Sequence, residues 1–199
     1  MIIIGITGSS GSGKTTVSNF LSKKENTKVI NADTVAKELT SQNTEYLREI
    51  QKKFGLDYFF KDGKLNRKKL ANIIYSNKES LKDLNDITFT YVVKEIINRI
   101  KLISQNENVN ILIIDAPLLF ESGLDKECNY TISIVADEDI KLERICKRDN
   151  LEINIAKARL NIQPKDEYYK EMSDYIIENN FDEVSLNNKI DELFNKLLK

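Results

Sequence analysis

The sequence predicts an α/β fold built on a parallel sheet of about five strands, the architecture of strands alternating with helices. Short apolar runs rich in β-branched residues alternate with longer segments of helical period along the 199-residue chain. A glycine-rich stretch also joins the first apolar run to the first helical segment, where backbone N–H groups could meet a ligand closely. The chain is long enough for one domain with an inserted lobe.

The predicted strands are short, apolar and bounded by polar or turn residues. They are Ile2–Ile6, Lys28–Asn31, Val109–Ile114, Tyr130–Val135 and Tyr175–Ile177. The run VNILII at 109–114 is the strongest of them, since it is almost continuously apolar, and the run at 175–177 is the weakest.

The predicted helices follow apolar residues spaced three and four apart. They are Lys14–Lys24, Val35–Leu39, Ser80–Ser104, Glu138–Arg148 with Asp137 as N-cap, and a C-terminal helix through Leu186, Ile190, Leu193 and Leu197. The region Asn43–Ser104 lacks a convincing strand, so we expect an inserted helical lobe there. Residues 1–42 and 105–199 are then the core of a single domain.

The composition of the chain excludes several classes of function. Acidic and basic residues nearly cancel to a net charge of −1, which favours a small-molecule partner over nucleic acid or a membrane. The chain has no histidine, which excludes Ser-His-Asp catalysis and histidine-bound zinc. Two isolated cysteines, Cys128 and Cys146, suggest reduced thiols, and without a signal peptide or membrane span we expect a cytoplasmic protein.

The glycine-rich stretch matches the phosphate-binding pattern G-x-x-x-x-G-K-S/T, and it lies between a strand and a helix, as the pattern requires. Its residues are Gly8, Ser9, Ser10, Gly11, Ser12, Gly13, Lys14 and Thr15, followed by Thr16. We expect the loop N–H groups and Lys14 to bind the phosphates of a nucleoside triphosphate, and the Thr15 hydroxyl to bind Mg²⁺. The fold is accordingly predicted as a P-loop NTPase, a three-layer α/β/α sandwich.

A tetrapeptide at Asn188–Asp191 matches the guanine-binding pattern N-K-x-D. We reject this interpretation, because the tetrapeptide lies inside the predicted C-terminal helix with Ile190 on its apolar face, and no D-x-x-G switch segment accompanies it.

A kinase needs a base near its acceptor, a metal ligand and cations around the transferred phosphoryl group. Asp33 directly follows the second strand and is the candidate base; capping the next helix is the alternative. Asp115 follows the third predicted strand and is either a magnesium ligand or a turn residue. Arg144, Arg148 and Arg159 are either phosphate clamps or part of a solvated helix face.

Several segments together resemble dephospho-CoA kinase, a P-loop enzyme that phosphorylates the ribose 3′-hydroxyl of dephospho-CoA to form coenzyme A. The resemblance covers most of the chain. Its segments are GITGSSGSGKTTV at the start, Asn31–Asp33 with Val35-Ala36, DGKLNRKKL at 62–70, APLLFESGL at 116–124, KRD at 147–149, ARLNIQ at 158–163 and SDYIIENN at 173–180.

The resemblance implies roles for particular residues. Asp33 falls on the catalytic aspartate of the family, and the three arginines would belong to a helical lid at about 138–170 that closes over ATP and excludes water. The inserted lobe would bind the acceptor, with Arg67 as a contact. Pro117, Leu118 and Leu119 are further candidates for substrate binding. We expect a monomer that uses ATP and Mg²⁺.

The chain departs from the family pattern at two places. Asn31 stands where D-A-D is usual, and Phe89-Thr90 follows LNDIT where a His-Pro pair is common. The first change removes a negative charge near the proposed metal, and the second lies in the acceptor lobe. A kinase for another nucleoside-like acceptor and a catalytically weak ATP-binding protein are therefore the alternatives.

Overall fold

The structure is a computed structural model that describes residues 1–41 and 45–197, without the side chains of residues 75 and 76. Its strands are β1 (Ile2–Thr7), β2 (Thr27–Asn31), β3 (Ile111–Asp115), β4 (Tyr130–Val135) and β5 (Tyr175–Glu178). Its helices are α1 (Lys14–Leu21), α2 (Ala32–Ser41), α3 (Glu45–Phe54), α4 (Arg67–Ser76), α5 (Lys78–Ser104), α6 (Glu138–Asp149), α7 (Ile153–Asn161), α8 (Asp166–Met172) and α9 (Glu183–Leu197).

The strands form one five-stranded sheet in the order β2-β3-β1-β4-β5. Parallel registers pair Ile4 of β1 with Ile113 of β3 and Ile6 of β1 with Ile132 of β4. The chain leaves β1 toward β2 and leaves β3 toward β4, so the strand order reverses between β1 and β3. In open α/β sheets ligands bind at such a reversal, at the carboxyl ends of the strands.

Helices cover both faces of the sheet, which confirms the three-layer α/β/α prediction. On one face the central isoleucines pack against Val17 and Leu21 of α1 and against Ile190 and Phe194 of α9. On the other face the Ser133 hydroxyl of β4 donates a hydrogen bond to the Tyr169 carbonyl oxygen of α8. Every residue of β3 is buried, as its continuous apolar run predicts.

The chain divides into two compact units, Met1–Ile30 with Ser104–Lys199, and Asn31–Ile103. The second unit is helical, and α3, α4 and α5 pack around Tyr46, Ile50, Leu70 and Ile74. Among the described residues of this unit the only strand-like pairing is an isolated bridge between Phe59 and Leu65. The predicted lobe began at residue 43, which lies outside the described residues, and α2 falls within the second unit.

The predicted strands and helices are all present, with boundaries that differ by up to three residues. The third strand begins at Ile111 instead of Val109, because the N–H groups of Asn110 and Ile111 both donate to the Asn26 carbonyl oxygen before the ladder starts. Asp137 precedes α6 as predicted, but its carboxylate accepts from Asn180 Nδ2 at 2.9 Å and makes no capping bond.

Two further sequence interpretations are confirmed. The N-K-x-D tetrapeptide lies within α9, where Ile190 is fully buried and Asp191 pairs with Lys24. Both cysteines are unpaired and half-buried, and burial raises the pKa of the Cys128 thiol to about 12. No helix in the described ranges combines the length and apolarity needed to cross a membrane.

Candidate active site

The predicted phosphate loop joins β1 to α1 at the reversal point of the sheet. Gly13 is the N-cap of α1 and has a φ of 101°, a left-handed conformation that disfavours any residue with a Cβ. A Cβ on Gly11, whose φ is 79°, would lie 2.5 Å from the Lys141 carbonyl oxygen. Glycine is therefore required at both positions. Gly13 is required for its backbone conformation, and Gly11 is required both for its backbone conformation and for the close approach of α6.

Lys14, the first residue of α1, folds back over the loop. Its Nζ donates to the carbonyl oxygens of Gly8 at 2.5 Å and Ser9 at 3.2 Å. These bonds hold an ammonium group at the concave side of the loop, which is where a P-loop lysine meets the terminal phosphates of a nucleotide.

Thr15 and Asp115, the candidate metal ligands, lie in the same unit on neighbouring elements. Thr15 is exposed in the first turn of α1, and Asp115 is the last residue of β3 with 3% of its surface exposed. Ser18 Oγ donates to Asp115 Oδ2 at 2.8 Å, a contact that the sequence did not predict. A hydroxyl and a carboxylate are oxygen ligands of the kind Mg²⁺ prefers.

The described residues contain no group of three or more acidic, cysteine or histidine side chains that could hold a metal by themselves. Kinases hold Mg²⁺ with one or two protein ligands and take the remaining ligands from substrate phosphates and water. The donor set of Thr15 and Asp115 therefore fits a nucleotide-bound Mg²⁺.

Two of the three predicted arginines reach the phosphate loop from α6. Arg144 Nη1 donates to the Gly11 carbonyl oxygen at 3.3 Å, and Arg148 Nη2 donates to Ser10 Oγ at 3.3 Å. Arg144 also donates to Asn179 Oδ1 at 3.4 Å, and Asn179 Nδ2 donates to the Ser12 carbonyl oxygen at 2.8 Å. Arg144 is half-buried, whereas the side chains of Arg148 and Arg159 are 55% and 47% exposed, so the role of the arginines as phosphate clamps stays a prediction.

Arg159 joins this group indirectly through Asp149. The Asp149 carboxylate accepts bonds from Arg148 Nε and Nη2, each at 2.8 Å, and from Arg159 Nη1 at 2.6 Å. These bonds, above all those from Arg148, hold the pKa of Asp149 below its usual range. Asp149 therefore links α6 to α7 and keeps two guanidinium groups side by side.

The connection between α7 and α8 supplies contacts that sequence reasoning did not predict. The Ser10 N–H donates to Gln163 Oε1 at 2.7 Å, and Asp166 Oδ1 accepts from Ser9 Oγ at 3.4 Å and from Lys141 Nζ at 2.8 Å. The Lys141–Asp166 pair is largely buried, with side chains 8% and 17% exposed. Gln163 ends the segment ARLNIQ, but no spacing rule connects it to residue 10.

The segment after β3 contains three predicted substrate-binding residues in different environments. The Pro117 carbonyl oxygen accepts from Thr7 Oγ1 at 3.2 Å, and Leu118 is 39% exposed. Leu119 is fully buried, and a Cβ on Gly5 would lie 2.7 Å from its Cδ2. The Leu119 side chain therefore belongs to the core beneath β1, whereas Leu118 faces solvent.

In the helical unit, Asp33 is the second residue of α2 and its side chain is exposed. Asn31 Oδ1 accepts from the Thr34 N–H at 2.9 Å, which makes Asn31 the N-cap of this helix. The alternative role of Asp33 as the cap is therefore wrong. Arg67, the first residue of α4, is engaged within the unit, since its Nη2 donates to the Lys37 carbonyl oxygen at 3.1 Å.

The second departure from the family pattern lies in the middle of α5, a helix of 27 residues. Thr90 Oγ1 donates to the Asp86 carbonyl oxygen at 2.8 Å, a bond back along the helix that proline could not make. The hydroxyl of Thr88, two residues before Thr90, shares a hydrogen bond of 3.0 Å with the Tyr46 hydroxyl. The helix therefore runs through Phe89-Thr90 without interruption.

Comparisons with known proteins identify the family of the chain. The family model for dephospho-CoA kinase matches residues 2–184. The chain is 36% identical over 197 residues to a dephospho-CoA kinase of Fusobacterium nucleatum, covering 99% of this chain and 95% of the relative.

Solved structures give the same result. A crystal structure from Thermus thermophilus superposes with a TM-score of 0.80 at 26% identity, covering 98% of this chain and 97% of the other. The dephospho-CoA kinase of Campylobacter jejuni superposes with a TM-score of 0.67 at 28% identity, covering 98% and 96%.

Proposed function

The chain belongs to the dephospho-CoA kinase family, ATP-dependent transferases that convert dephospho-CoA to coenzyme A, and we propose which of its residues perform this reaction. The γ-phosphoryl group of ATP passes to the ribose 3′-hydroxyl of dephospho-CoA, and ADP leaves. The observation that carries the proposal is the convergence of Lys14, Arg144 and Arg148 on one glycine-rich loop at the start of a helix.

Phosphate binding rests on the loop and on α1. N–H groups at the start of α1 and the positive end of its dipole face the anionic phosphates, and Lys14 adds a full charge. Because Lys14 Nζ is held by two loop carbonyl oxygens, its position is set before nucleotide arrives. Little reorganisation is then needed when charge develops during transfer.

Asp33 is the proposed general base. Its carboxylate accepts the proton of the 3′-hydroxyl as that oxygen attacks the γ-phosphorus and the bond to the ADP oxygen breaks. The exposure of Asp33 supports this role, as does the fact that Asn31 caps α2 in its place. A carboxylate that does not cap its helix is available to an incoming hydroxyl.

Thr15 and Asp115 are the proposed residues for Mg²⁺. Their hydroxyl and carboxylate oxygens would hold the ion, which would supply positive charge to neutralise the phosphates. The bond from Ser18 occupies one Asp115 oxygen and orients the carboxylate at the end of β3.

Arg144, Arg148 and Arg159 are proposed to neutralise the transferring phosphoryl group from the lid at 138–170. Guanidinium groups suit this task because they are permanently charged and can bind phosphate through two N–H groups. For the acceptor we propose Arg67, Pro117 and Leu118; the buried Leu119 supports the segment from the core side. A monomer in the cytoplasm stays a prediction from the sequence.

The test is ADP production from Mg·ATP by the full chain, with and without dephospho-CoA, and mass spectrometry of the acceptor product. Turnover that depends on dephospho-CoA and adds one phosphate is the expected result. A protein that binds ATP but does not phosphorylate dephospho-CoA would contradict the proposal, and a screen of other hydroxyl acceptors would then test the changes at Asn31 and Phe89-Thr90.

A further inference from the structure

The side chain of Gln163 contacts the backbone of the phosphate loop at Ser10, 153 residues earlier in the sequence. It lies between α7 and α8 and is half-buried. Its Oε1 accepts the Ser10 N–H at 2.7 Å, and its Nε2 donates to the Arg159 carbonyl oxygen at 3.4 Å. One side-chain amide thus connects the loop to the end of the helix that carries Arg159.

The neighbouring contacts hold the same side of the loop. Arg148 donates to Ser10 Oγ, and the half-buried Asp166 accepts from both Ser9 Oγ and Lys141 Nζ. Of these contacts, the bond to Gln163 is the one that engages a loop N–H group. It therefore fixes the orientation of the peptide group that precedes Ser10, which a side-chain contact would not.

An amide suits this position better than a carboxylate. Either group could accept the Ser10 N–H, but a carboxylate would place a negative charge beside the loop that receives phosphates. An uncharged acceptor satisfies the N–H without repelling the nucleotide. A side chain with no acceptor would leave the Ser10 peptide free to reorient toward water.

We propose that Gln163 is a positioning residue for nucleotide binding, which orients the Ser10 peptide and so keeps the phosphate loop in its binding conformation. The inference rests on the proposed function in one respect, namely that the loop binds the phosphates of ATP and ADP. Gln163 contacts the loop and acts through it, so its loss affects the nucleotide and leaves the acceptor almost unaffected.

The first test is Gln163→Met, which keeps the length of the side chain and removes both hydrogen bonds of the side-chain amide. Loss of one such bond corresponds to roughly a 3- to 10-fold change in an equilibrium. We expect ADP to bind about 3- to 10-fold more weakly in calorimetry. We also expect faster hydrogen exchange at the Ser10 amide by NMR, and a KM for dephospho-CoA within about 2-fold of the original. Gln105→Met, the same change at an exposed site after α5, is the matched control.

The second test is Gln163→Glu, which retains an acceptor for the Ser10 N–H and adds a charge. Slow exchange at Ser10 should be preserved, while ADP binds more weakly. The loss of ADP affinity relative to the unsubstituted protein should become smaller as the salt concentration is raised, because salt screens the added charge. The loss in Gln163→Met should persist. If Gln163→Met does not fold, Gln163→Glu still tests the proposal.

Unchanged ADP binding in Gln163→Met, with unchanged exchange at Ser10, would overturn the proposal. Tighter ADP binding would overturn it too, since Gln163 would then be blocking the loop. ADP binding needs no acceptor, so a protein that fails to phosphorylate dephospho-CoA defeats the proposed reaction while this test of Gln163 still stands.

Discussion

The helix after the phosphate loop and the helices of the second unit begin in different ways. α1 begins at Gly13, which offers no capping side chain. In contrast, asparagine side chains accept first-turn N–H groups at the starts of α2, α4 and α5; they are Asn31, Asn66 and Asn77. Capping occupies the donors that an anion would use. No side chain caps α1, which suits the proposed phosphate site, whereas asparagine side chains cap the other three helices.

The two regions also differ in how their functional groups are supported. The phosphate loop is contacted by side chains from α6, the α7–α8 connection and the residue after β5. Asp33 depends on its place in the first turn of one capped helix. We therefore expect a single substitution around the loop to remove only part of the support of the loop. A single substitution at Asp33 removes the functional group itself.

The largest expected effect is at Asp33. Asp33→Asn keeps the size of the side chain and removes the base, so we expect kcat to fall by about 10²–10⁴ with little change in ATP affinity. Steady-state kinetics with both substrates and calorimetry with ATP measure the two quantities. Asp57→Asn, at another exposed position of the same unit, is the control. Turnover at the original rate would remove Asp33 from the chemistry.

The next effect is at Lys14. Lys14→Ala removes the cation from the loop, and removal of one such electrostatic contact typically lowers turnover by about 10²–10³. Lys23→Ala, at an exposed residue just beyond α1, should leave kcat/KM for ATP unchanged. If the two variants had equal activity, the loop would not be the phosphate site, and the contrast between open and capped helix starts would lose its functional meaning.

A smaller effect should come from the cap of α2. Asn31→Ala leaves the Thr34 N–H without its partner, which should lower the free energy of unfolding by about 1 kcal/mol. Asn31→Asp keeps a capping oxygen and should lose much less. Urea titrations of the three proteins measure the difference. An alanine variant as stable as the original would show that this helix start does not depend on its cap.

The smallest effect concerns the arginine pairs of Asp149. Asp149→Asn should lower stability at pH 7 by about 0.2–1 kcal/mol, as for other partly exposed ion pairs. Because Arg148 and Arg159 lower the pKa of Asp149 in the folded protein, their contribution is complete above the ordinary aspartate pKa and is lost as pH falls through the lowered value.

Denaturant titrations at several pH values check this prediction. The stability gap between Asp149→Asn and the original protein should stay constant from about pH 7 to 5 and narrow below about pH 4, near the ordinary pKa of aspartate. Asp86→Asn, at an exposed aspartate that faces Lys82 at 3.8 Å, is the control and should give a smaller gap. A gap independent of pH would mean that the charge of Asp149 does not stabilise the lid.

The local sequence pattern was sufficient to predict those features that depend only on residues close together in the chain. The phosphate loop, the buried strands and the amphipathic helix α9 are all read from contiguous residues, and each was predicted. Capping of α2 was only the alternative role for Asp33, and Asn31 makes the capping bond instead; both residue types suit a cap, and they lie two positions apart. Only the backbone geometry separates them.

Short motifs and the period of the apolar residues were sufficient to predict the parallel α/β fold, the phosphate loop and the family. The side chains that contact the loop could be identified only from the folded chain. Gln163, Asp166 and Asn179 are 153 or more residues from their partners in the loop, and folding of the sheet and lid brings them together. The folded chain also showed that Leu119 is a core residue, since burial depends on what packs over a side chain.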